Sequence, residues 1–318
     1  MKPPYKITGL ILGLISSISE QIGEVKSAKL LKPPAELRKR NRIKTIQSSL
    51  EIEGNTMTIE QITDLINEKI VFAPKKDILE VKNAIRVYSM LNTFDTFKLD
   101  SLCSAHRILM DGLIDNPGRL RKTSVGIVKG EDIAHIAPPG NMVYPLMKDL
   151  FKYLKDGDDL LLLKSCVFHY EFEFIHPFID GNGRMGRLWQ TMILKEYSPV
   201  FEFLPIETLV KEQQQEYYKV LGKSDKQGNS TSFIEFMLQI IHSALENLLM
   251  IQNLTVKDMD RIEIFEDIIK NKEFSRQDYL RHNKEISPAT ASRDLKNAVD
   301  KGILIKKGDK RLTIYKFK

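Results

Sequence analysis

Apolar residues recur at intervals of three and four along most of the chain, and this spacing predicts a mainly α-helical protein. In the first run, residues 7–25, the apolar residues share one face: Ile7, Leu10, Ile11, Leu14, Ile15, Ile18, Ile22 and Val25. The run is too short to span a bilayer, and no small-residue cleavage site follows it. We therefore expect a retained packing helix in a cytoplasmic protein that has no membrane partner.

Capping residues and helix breakers predict where the next helices begin and end. A helix is predicted over residues 35–52, because the Gly54-Asn55 pair that follows is typical of a helix C-terminus. Further helix starts are predicted from residues able to cap a first turn: Thr58 with Gln61, Asp77 with Glu80, and Asp100. Later periodic runs predict helices over residues 143–155, 158–175, 184–197, 207–221 and 231–254.

Two parts of the chain depart from this helical pattern. Between residues 112 and 140, turn residues flank short β-type runs at 124–129 and 133–137, which predicts a small hairpin. From residue 258 onwards the order is three helices, at 261–269, 275–281 and 288–300, then strands at 303–305 and 312–317. That order predicts a winged helix-turn-helix domain at the C-terminus.

Composition excludes several classes of protein. A length of 318 residues suits about two domains of roughly 100–200 residues each. With 42% hydrophobic residues and no long polar run, the chain is neither disordered nor fibrous. Its two cysteines, Cys103 and Cys166, lie far apart, which excludes a disulfide framework and a cysteine zinc site.

The charge of the chain is concentrated at its C-terminus. Residues 271–318 carry thirteen Lys or Arg against six Asp or Glu, a local charge of +7 within a total of +6, so the rest of the chain is near neutral. Candidate DNA contacts lie on the predicted recognition helix and wing: Ser287, Thr290, Ser292, Arg293, Lys296, Lys306, Lys307, Lys310 and Arg311. Contact with DNA or with another protein fits this basic surface equally well.

The most informative segment is the loop at residues 176–187, His-Pro-Phe-Ile-Asp-Gly-Asn-Gly-Arg-Met-Gly-Arg. Gly181 and Gly183 on either side of Asn182 allow a tight turn whose backbone N–H groups meet a helix N-terminus, which favours an anion. Arg184 and Arg187 are three residues apart, so both guanidinium groups can reach one phosphate chain. The segment therefore predicts a cradle for a polyphosphate.

Two further side chains complete the chemistry of this loop. Asp180 offers the hard carboxylate that Mg²⁺ needs when phosphate oxygens and water supply its other ligands. His176 offers an imidazole able to accept a proton from an attacking hydroxyl. Together these residues predict a nucleotidyl-transfer site.

The loop matches every specified position of the Fic-family motif, His-x-Phe-x-Asp/Glu-Gly-Asn-Gly-Arg-x-x-Arg, and so resembles that family over residues 35–205. The resemblance implies a Fic-type helical core with a hairpin flap, and transfer of AMP from Mg-ATP to a Ser, Thr or Tyr hydroxyl of a target protein. It implies these roles: His176 as base, Asp180 for Mg²⁺, Gly181, Asn182 and Gly183 for the α-phosphate, and Arg184 and Arg187 for the β- and γ-phosphates. It leaves open whether the protein also removes AMP.

A second segment, Ser49-Leu-Glu-Ile-Glu-Gly54, resembles the family's inhibitory-helix motif, Ser/Thr-x-x-x-Glu-Gly/Asn. The resemblance implies that Glu53 pairs with Arg187 and prevents the γ-phosphate from seating productively. Ser49, one helical turn earlier, is expected to bond back to the loop and steady that contact. The expected enzyme is therefore self-inhibited.

The hairpin resembles the family's flap, whose exposed strand would hold an extended target segment by backbone pairing. The candidate docking residues are Val125, Gly126, Ile127, Val128, His135, Ile136 and Ala137. The expected organisation is an N-terminal helical region with the inhibitory helix (1–95), a catalytic core with the flap (96–206), linking helices (207–256) and the winged-helix domain (257–318). The oligomeric state is open, a homodimer included.

Two other functions compete with AMP transfer. His169, Glu173 and His176 lie four and three residues apart on one predicted helix, so they could hold zinc in a metal-dependent hydrolase, although the usual His-Glu-x-x-His spacing is missing. The second alternative is a winged-helix DNA-binding regulator that carries a nucleotide-binding domain.

Overall fold

The computed structural model describes residues 2–27, 31, 33, 35–129, 132–269, 272–283, 286–308 and 313–317. The chain divides into two compact units, Met1–Glu246 and Asn247–Lys318. The finer division at residues 95, 206 and 256 stays a prediction.

The first unit is built almost entirely from helices, which confirms the mainly α fold class. In chain order its elements are α1 (Gly9–Ser27), α2 (Ala35–Glu51), α3 (Ile59–Ile66), α4 (Lys75–Ser89), α5 (Leu99–Leu109), β1 (Gly126–Lys129), β2 (Asp132–Ile136), α6 (Gly140–Asp156), α7 (Leu161–Ile175), α8 (Asn182–Tyr197), α9 (Ile206–Glu212) and α10 (Gln214–Gln227). The long helix α11 (Thr231–Ile269) begins here and ends in the second unit. Single 3₁₀ turns at Leu91–Thr93 and Pro199–Phe203 follow α4 and α8.

The core of this unit surrounds α7 and α8. Both helices are buried on nearly every side; α7 is apolar around most of its circumference, whereas α8 buries polar side chains as well, Arg184 and Arg187 among them. Trp189 in α8 is fully buried, and its indole N–H donates to the carbonyl of Thr96. Because the loop at residues 176–181 joins α7 to α8, both of its ends are anchored in buried helices.

Helix α1 packs along a narrower stripe than its periodicity predicts. Only Ile11, Ile18 and Val25, seven residues apart, are fully buried. Ile7 and Leu10 are 48% and 46% exposed, so the prediction that they pack with the others was wrong. A seven-residue spacing is that of a single helix–helix seam, which covers fewer positions than a broad packing face.

Two of the predicted helix starts were also wrong. The capping box of Thr58 and Gln61 is confirmed, but α4 begins after Pro74, whose fixed backbone angle suits a helix start. Asp77 accepts bonds from the backbone and hydroxyl of Thr56 instead of capping α4. Asp100 lies inside the first turn of α5, after Lys98.

The later helices differ from their predictions in length. The single helix expected over 207–221 is two helices, α9 and α10, that break at Gln213. The helix expected to end at 254 continues to Ile269. One segment of the described chain, Thr231–Met250 at the start of α11, is long and apolar enough to cross a membrane, and more than half of it is buried inside the protein.

The predicted hairpin is confirmed. Strands β1 and β2 pair antiparallel, with Gly126 opposite Ile136 and Lys129 opposite Asp132, and a bulge falls between Ile127 and Val128.

The second unit contains the end of α11, two further helices, α12 (Arg276–His282) and α13 (Pro288–Asp300), and three strands. The strands β3 (Phe274–Ser275), β4 (Leu304–Lys307) and β5 (Ile314–Phe317) form an antiparallel sheet in the order β3-β5-β4. Its core contains Phe265, Tyr279, Leu295 and Phe317. The helices and the hairpin follow the predicted order, and β3 was not predicted; assignment as a winged helix stays a prediction.

Candidate active site

The loop between α7 and α8 is fixed by two residues with positive φ. His176 ends α7 with φ 49° and ψ 62°, an uncommon conformation for a residue with a side chain. Gly181 precedes α8 with φ 82°, and a Cβ there would lie 2.7 Å from Met110 Sδ. The chain therefore reverses tightly and starts α8 with its N–H groups directed at the loop.

Asn182 braces this loop through both ends of its amide. Its Oδ1 accepts from the N–H of Phe178 at 2.9 Å, and its Nδ2 donates to the carbonyl of Phe178 at 2.9 Å. The side chain is only 2% exposed. The side chain of Asn182 holds the loop closed. Only its backbone N–H therefore remains for the predicted contact with the α-phosphate.

His106 of α5 supports the loop from beneath. Its ring stacks on Phe178 with centroids 3.6 Å apart. Nδ1 accepts from the N–H of Gly118 at 2.8 Å, which places the proton on Nε2, and Nε2 donates to the carbonyl of Asp180 at 3.0 Å. Burial lowers the pKa of His106 to about 4, so the ring is neutral at pH 7.

Arg121 fastens the loop to both ends of the hairpin segment. Its Nε donates to the carbonyl of His176 at 2.7 Å and its Nη2 to that of Ile175 at 2.9 Å. The same guanidinium donates to the carbonyls of Thr123, before β1, and Pro138, after β2. Arg121 is 3% exposed, and burial lowers its pKa. One buried cation therefore sets the position of His176 relative to the base of the hairpin.

Arg184 is held by two carboxylates. Its Nη1 lies 3.1 Å from Glu80 Oε1 and its Nη2 lies 3.3 Å from Asp180 Oδ1. Glu80 in turn accepts from the side chain of Asn55 at 2.8 Å. The predicted capping role of Glu80 was therefore wrong: this carboxylate orients Arg184, one of the two arginines predicted to bind phosphate.

Arg187 meets the end of helix α2. Its Nε donates to Ser49 Oγ at 3.2 Å, and its Nη2 donates to the carbonyl of Ser49 at 2.9 Å and to Glu53 Oε1 at 2.7 Å. Burial alone would lower the pKa of Arg187, but Glu53 and neighbouring groups outweigh it and raise the pKa above its usual range. Arg187 stays charged and is bound to α2.

The Glu53 carboxylate lies directly against the first turn of α8. A Cβ added to Gly183 would collide with Glu53 Oε1 and would come within 3.1 Å of Arg187 Nη1. A glycine here therefore lets an anion approach the helix N-terminus, where N–H groups and the helix dipole stabilise negative charge. In this structure that anion is a carboxylate from the chain itself.

Both arginines keep a buried donor unused. Among the described residues, Nη1 of Arg187 and Nε of Arg184 have no hydrogen-bond partner. Leaving a buried donor of a charged group unsatisfied typically costs more than about 1–3 kcal/mol. Nη1 of Arg187 lies beside the Gly183 turn that already accommodates the Glu53 carboxylate, so a phosphate bound there would supply the acceptor that this donor lacks.

The residues near the cradle also fit a magnesium ion of the kind that phosphates help to hold. Asp180 is the only predicted metal ligand, and its side chain is 54% exposed. Its Oδ1 accepts from the N–H of Gly181 at 2.6 Å, which fixes the carboxylate beside the loop. No group of three or more His, Cys, Asp or Glu side chains among the described residues could form an all-protein metal site. One carboxylate suits Mg²⁺ that keeps water and phosphate ligands.

The structure describes only some of the residues predicted for the flap and for the C-terminal basic surface. Val125 lies just before β1 and is partly exposed, whereas Ala137 is buried, so its prediction as a docking residue was wrong. Gly126 lies in β1, and the side chains of Ile127, Val128, His135 and Ile136 fall outside the described part of the chain. In the second unit Arg293, Lys296 and Lys306 are exposed, Lys307 pairs with Glu273 at 3.0 Å, and Lys310 and Arg311 lie outside the described residues.

The structure does not support the zinc site proposed for His169, Glu173 and His176. His169 is fully buried, with Nδ1 2.7 Å from Gln190 Oε1 and Nε2 3.1 Å from the Tyr217 hydroxyl, so both ring nitrogens are occupied. Burial lowers its pKa to about 3. His176 lies past the end of α7 in a left-handed conformation, and so it does not continue the helical face that His169 and Glu173 share.

Sequence reasoning missed three residues that shape the site: His106, Arg121 and Glu80. His106 and Arg121 precede the hairpin and belong to no short motif with an evident chemical reading. The one available signal was that His106 is a polar residue close to several apolar ones, a weak indication that buried partners exist, whereas Arg121 lies among polar and charged residues that give no such signal.

Comparisons with known proteins agree with this geometry. The sequence profile of the Fic/DOC family matches residues 96–194, which include α5 to α8 and the hairpin. A crystal structure of a Fic family protein from Desulfovibrio desulfuricans G20 is 37% identical, with a TM-score of 0.76, and the match covers 100% of this chain and 98% of that one. The chain belongs to the Fic family.

Curated relatives are more distant. The protein adenylyltransferase Fic of Drosophila melanogaster is 28% identical over 247 residues, 73% of this chain and 45% of that protein. The protein adenylyltransferase fic-1 of Caenorhabditis elegans is 26% identical over 217 residues, 63% of this chain and 40% of that protein. The chain therefore spans less than half the length of these relatives. A structure of C. elegans Fic-1, 18% identical with a TM-score of 0.62, covers 77% of this chain and 72% of that one and shares its fold.

Proposed function

We propose that the protein is an adenylyltransferase that moves AMP from ATP to a Ser, Thr or Tyr hydroxyl of a target protein. The observation that carries the proposal is the pair of buried arginines near the start of α8. Arg187 keeps a buried donor that has no partner among the described residues, and an anion, the Glu53 carboxylate, already lies against the Gly183 turn. Curated relatives named protein adenylyltransferases support the same chemistry.

In this mechanism His176 acts on the target hydroxyl. Its imidazole takes the hydroxyl proton as the oxygen attacks the α-phosphorus of ATP, the bond from that phosphorus to the bridging oxygen breaks, and pyrophosphate leaves. Arg121 holds the backbone of His176 at the base of the hairpin. The histidine that acts as base therefore keeps a fixed position relative to a target segment bound by the hairpin. The N-terminal turn of α8 stabilises the charge that develops on the phosphate.

The proposal includes Mg-ATP as the substrate form. Asp180 would hold the magnesium ion, which would neutralise phosphate charge and align the chain of phosphates when bound. Arg184 is kept in place for the phosphates by Glu80, which is buried and remains paired with it.

The proposal also includes self-inhibition through Glu53. Its carboxylate lies against the turn where a phosphate would bind and takes one Nη2 bond of Arg187. A phosphate and this carboxylate would repel each other at that position, so ATP would bind with its terminal phosphates displaced. Displacement of about 1 Å at the reacting centre can cost on the order of 10²-fold in rate.

We extend the proposal to the removal of AMP, because the same histidine can take a proton from water as well as from a side-chain hydroxyl. Water, giving its proton to His176, would attack the phosphorus of the modified side chain; the bond from that phosphorus to the side-chain oxygen would break, AMP would leave, and the side-chain oxygen would take the proton from His176. Loss of α-label from a modified protein after ATP is removed would test this extension.

The C-terminal unit is proposed to contact duplex DNA. Arg293 and Lys296 are exposed three residues apart on α13, which suits contacts to adjacent phosphates. Titrating a labelled duplex with the full chain at two salt concentrations should show affinity that falls as salt rises. Absence of binding at low salt would favour contact with another protein.

Intact mass spectrometry after incubation with ATP tests the central proposal. Purified protein carrying Glu53→Gly should gain adenylate, while the same protein with His176→Ala added should not, because loss of a general base typically costs about 10²–10⁴ in rate. ATP affinity of the His176→Ala variant should remain close to that of its parent, since other residues hold the phosphates. Gain of phosphate instead of adenylate would contradict the proposal.

A further inference from the structure

A wide groove opens beside the catalytic loop (residues 176–181), and of its lining residues the proposed chemistry uses Arg121, which holds the backbone of His176. Its volume is about 1090 Å³. Helix α5, the segment 116–123 that leads into the hairpin, the start of α6, and Ile179 of the catalytic loop form its walls. The groove therefore begins at the loop that carries His176 and runs along the base of the hairpin.

The charge of this groove is positive. Arg107, Arg119 and Lys122 line it and are exposed, whereas Asp100 is the only acidic residue among its lining residues. None of the three cations forms an ion pair within the part of the chain that the structure describes. Residues 1–270 as a whole are near neutral, so this local excess departs from the rest of the unit.

Apolar side chains accompany the cations. Ile179 is 66% exposed although it lies between the fully buried Phe178 and the loop carboxylate Asp180. Tyr144, on the first turns of α6, is 61% exposed and lines the same groove. Exposed apolar side chains next to a reaction site are typical of a surface that a partner covers.

We propose that this groove docks an acidic segment of the target polypeptide, next to the hydroxyl that receives AMP. The proposal rests on the proposed function and names a feature of its substrate: Asp or Glu residues close in sequence to the modified Ser, Thr or Tyr. The three cations pair with the acidic side chains, and Ile179 and Tyr144 cover apolar parts of the same segment.

The dimensions and the lining favour a polypeptide over other ligands. Pockets for small molecules measure about 300–1,000 Å³ and bury most of their ligand, whereas this groove is larger and open. In an extended peptide, successive side chains can alternate between acidic and apolar, which suits a groove that carries both cations and apolar side chains. A nucleic acid would be held by the cations but would leave Ile179 without a role.

Binding without ATP tests the groove separately from catalysis. The probe is a fluorescent peptide with one serine followed by six glutamates, and its control has six glutamines instead. By anisotropy, the full-length protein should bind the glutamate peptide at least tenfold more tightly at low salt, and added salt should reduce that difference.

Charge-reversal variants locate the binding. The variant Arg107→Glu/Arg119→Glu/Lys122→Glu should bind the glutamate peptide roughly 10–100-fold more weakly, since each exposed charge contact contributes a factor of about two to five. The matched control Lys82→Glu/Lys152→Glu/Lys223→Glu makes the same change in net charge at exposed lysines outside the groove and should bind like wild type. The variant Arg107→Gln/Arg119→Gln/Lys122→Gln removes the three charges without reversing them, so it gives a second measurement if the glutamate variant does not fold.

The outcomes separate the groove from the chemistry. Equal binding of both peptides, or equal weakening by the groove and control variants, would overturn the docking proposal even if AMP transfer occurs. Displacement of the peptide by a single-stranded oligonucleotide at a lower concentration than by unlabelled peptide would assign the groove to nucleic acid and also overturn it. Selective peptide binding without any adenylate transfer would support the groove and contradict the proposed function.

Discussion

Replacing Glu53 with glycine removes the carboxylate that lies against the first turn of α8 and frees one bond of Arg187. Arg187 keeps its two hydrogen bonds to Ser49, so its guanidinium stays in place and can meet a phosphate. We expect the Glu53→Gly variant to transfer AMP faster than the wild-type protein.

The size of the increase follows from the strength of the bond that is lost. A hydrogen bond to a charged group contributes about 1.5–3 kcal/mol, and about 1.4 kcal/mol corresponds to a factor of ten. The partly exposed Glu53, with 33% of its side chain accessible, belongs in the lower half of that range. The predicted gain is therefore roughly 10- to 40-fold in the rate of transfer, with a smaller change in ATP affinity.

The assay measures transfer of label from α-labelled ATP at saturating ATP, beside ATP affinity measured by calorimetry. Glu51→Gly is the matched control, because Glu51 lies two residues earlier and pairs with Lys211 at 2.9 Å instead of Arg187. Adding Arg187→Ala to Glu53→Gly should abolish the gain. An unchanged rate in Glu53→Gly, or an equal gain in Glu51→Gly, would refute the inhibitory role of Glu53.

Three further predictions concern the residues that support the loop. Arg121→Lys keeps the charge but cannot reach all four carbonyls, so transfer to a target should fall at least tenfold while ATP affinity, measured by calorimetry, changes little. Asn182→Asp removes the donor to the Phe178 carbonyl and should lower the free energy of unfolding by about 1–3 kcal/mol, measured in urea. Burial lowers the pKa of His106 from its ordinary value of 6.5 to about 4 in the folded protein. Between pH 6.5 and about pH 4 the unfolded chain therefore binds more protons than the folded one, so the free energy of unfolding falls as the pH drops through this range. This difference in pKa corresponds to roughly 3 kcal/mol in the free energy of unfolding. The difference in that free energy between wild type and His106→Gln should therefore shrink between pH 7.5 and pH 4.5; a constant difference would contradict the burial argument.

The helices and the catalytic loop could be predicted because their signals are local. Periodic apolar residues identify α7 and α8, which are buried on nearly all sides, and the glycines around Asn182 identify the turn between them. Positive φ at Gly181 is a property of one residue that its neighbours in sequence already suggest.

The rest depended on contacts between residues far apart in sequence. Glu80 has the spacing of a capping residue, yet its carboxylate bonds Arg184, 104 positions away, because a buried arginine needs a charged partner more than an exposed helix end needs a cap. Arg121 likewise acts on carbonyls more than fifty residues further along, and backbone carbonyls leave no mark in a sequence. The exposure of Ile7 and Leu10 depended on which neighbours α1 meets.

AMP transfer is tested most directly by comparing ATP labelled at the α-phosphate with ATP labelled at the γ-phosphate, using the 318-residue Glu53→Gly chain and a cell lysate as the source of targets. We expect protein bands to acquire the α-label alone and expect added His176→Ala to remove them. Bands that carry the γ-label, or α-label that persists without His176, would contradict this expectation.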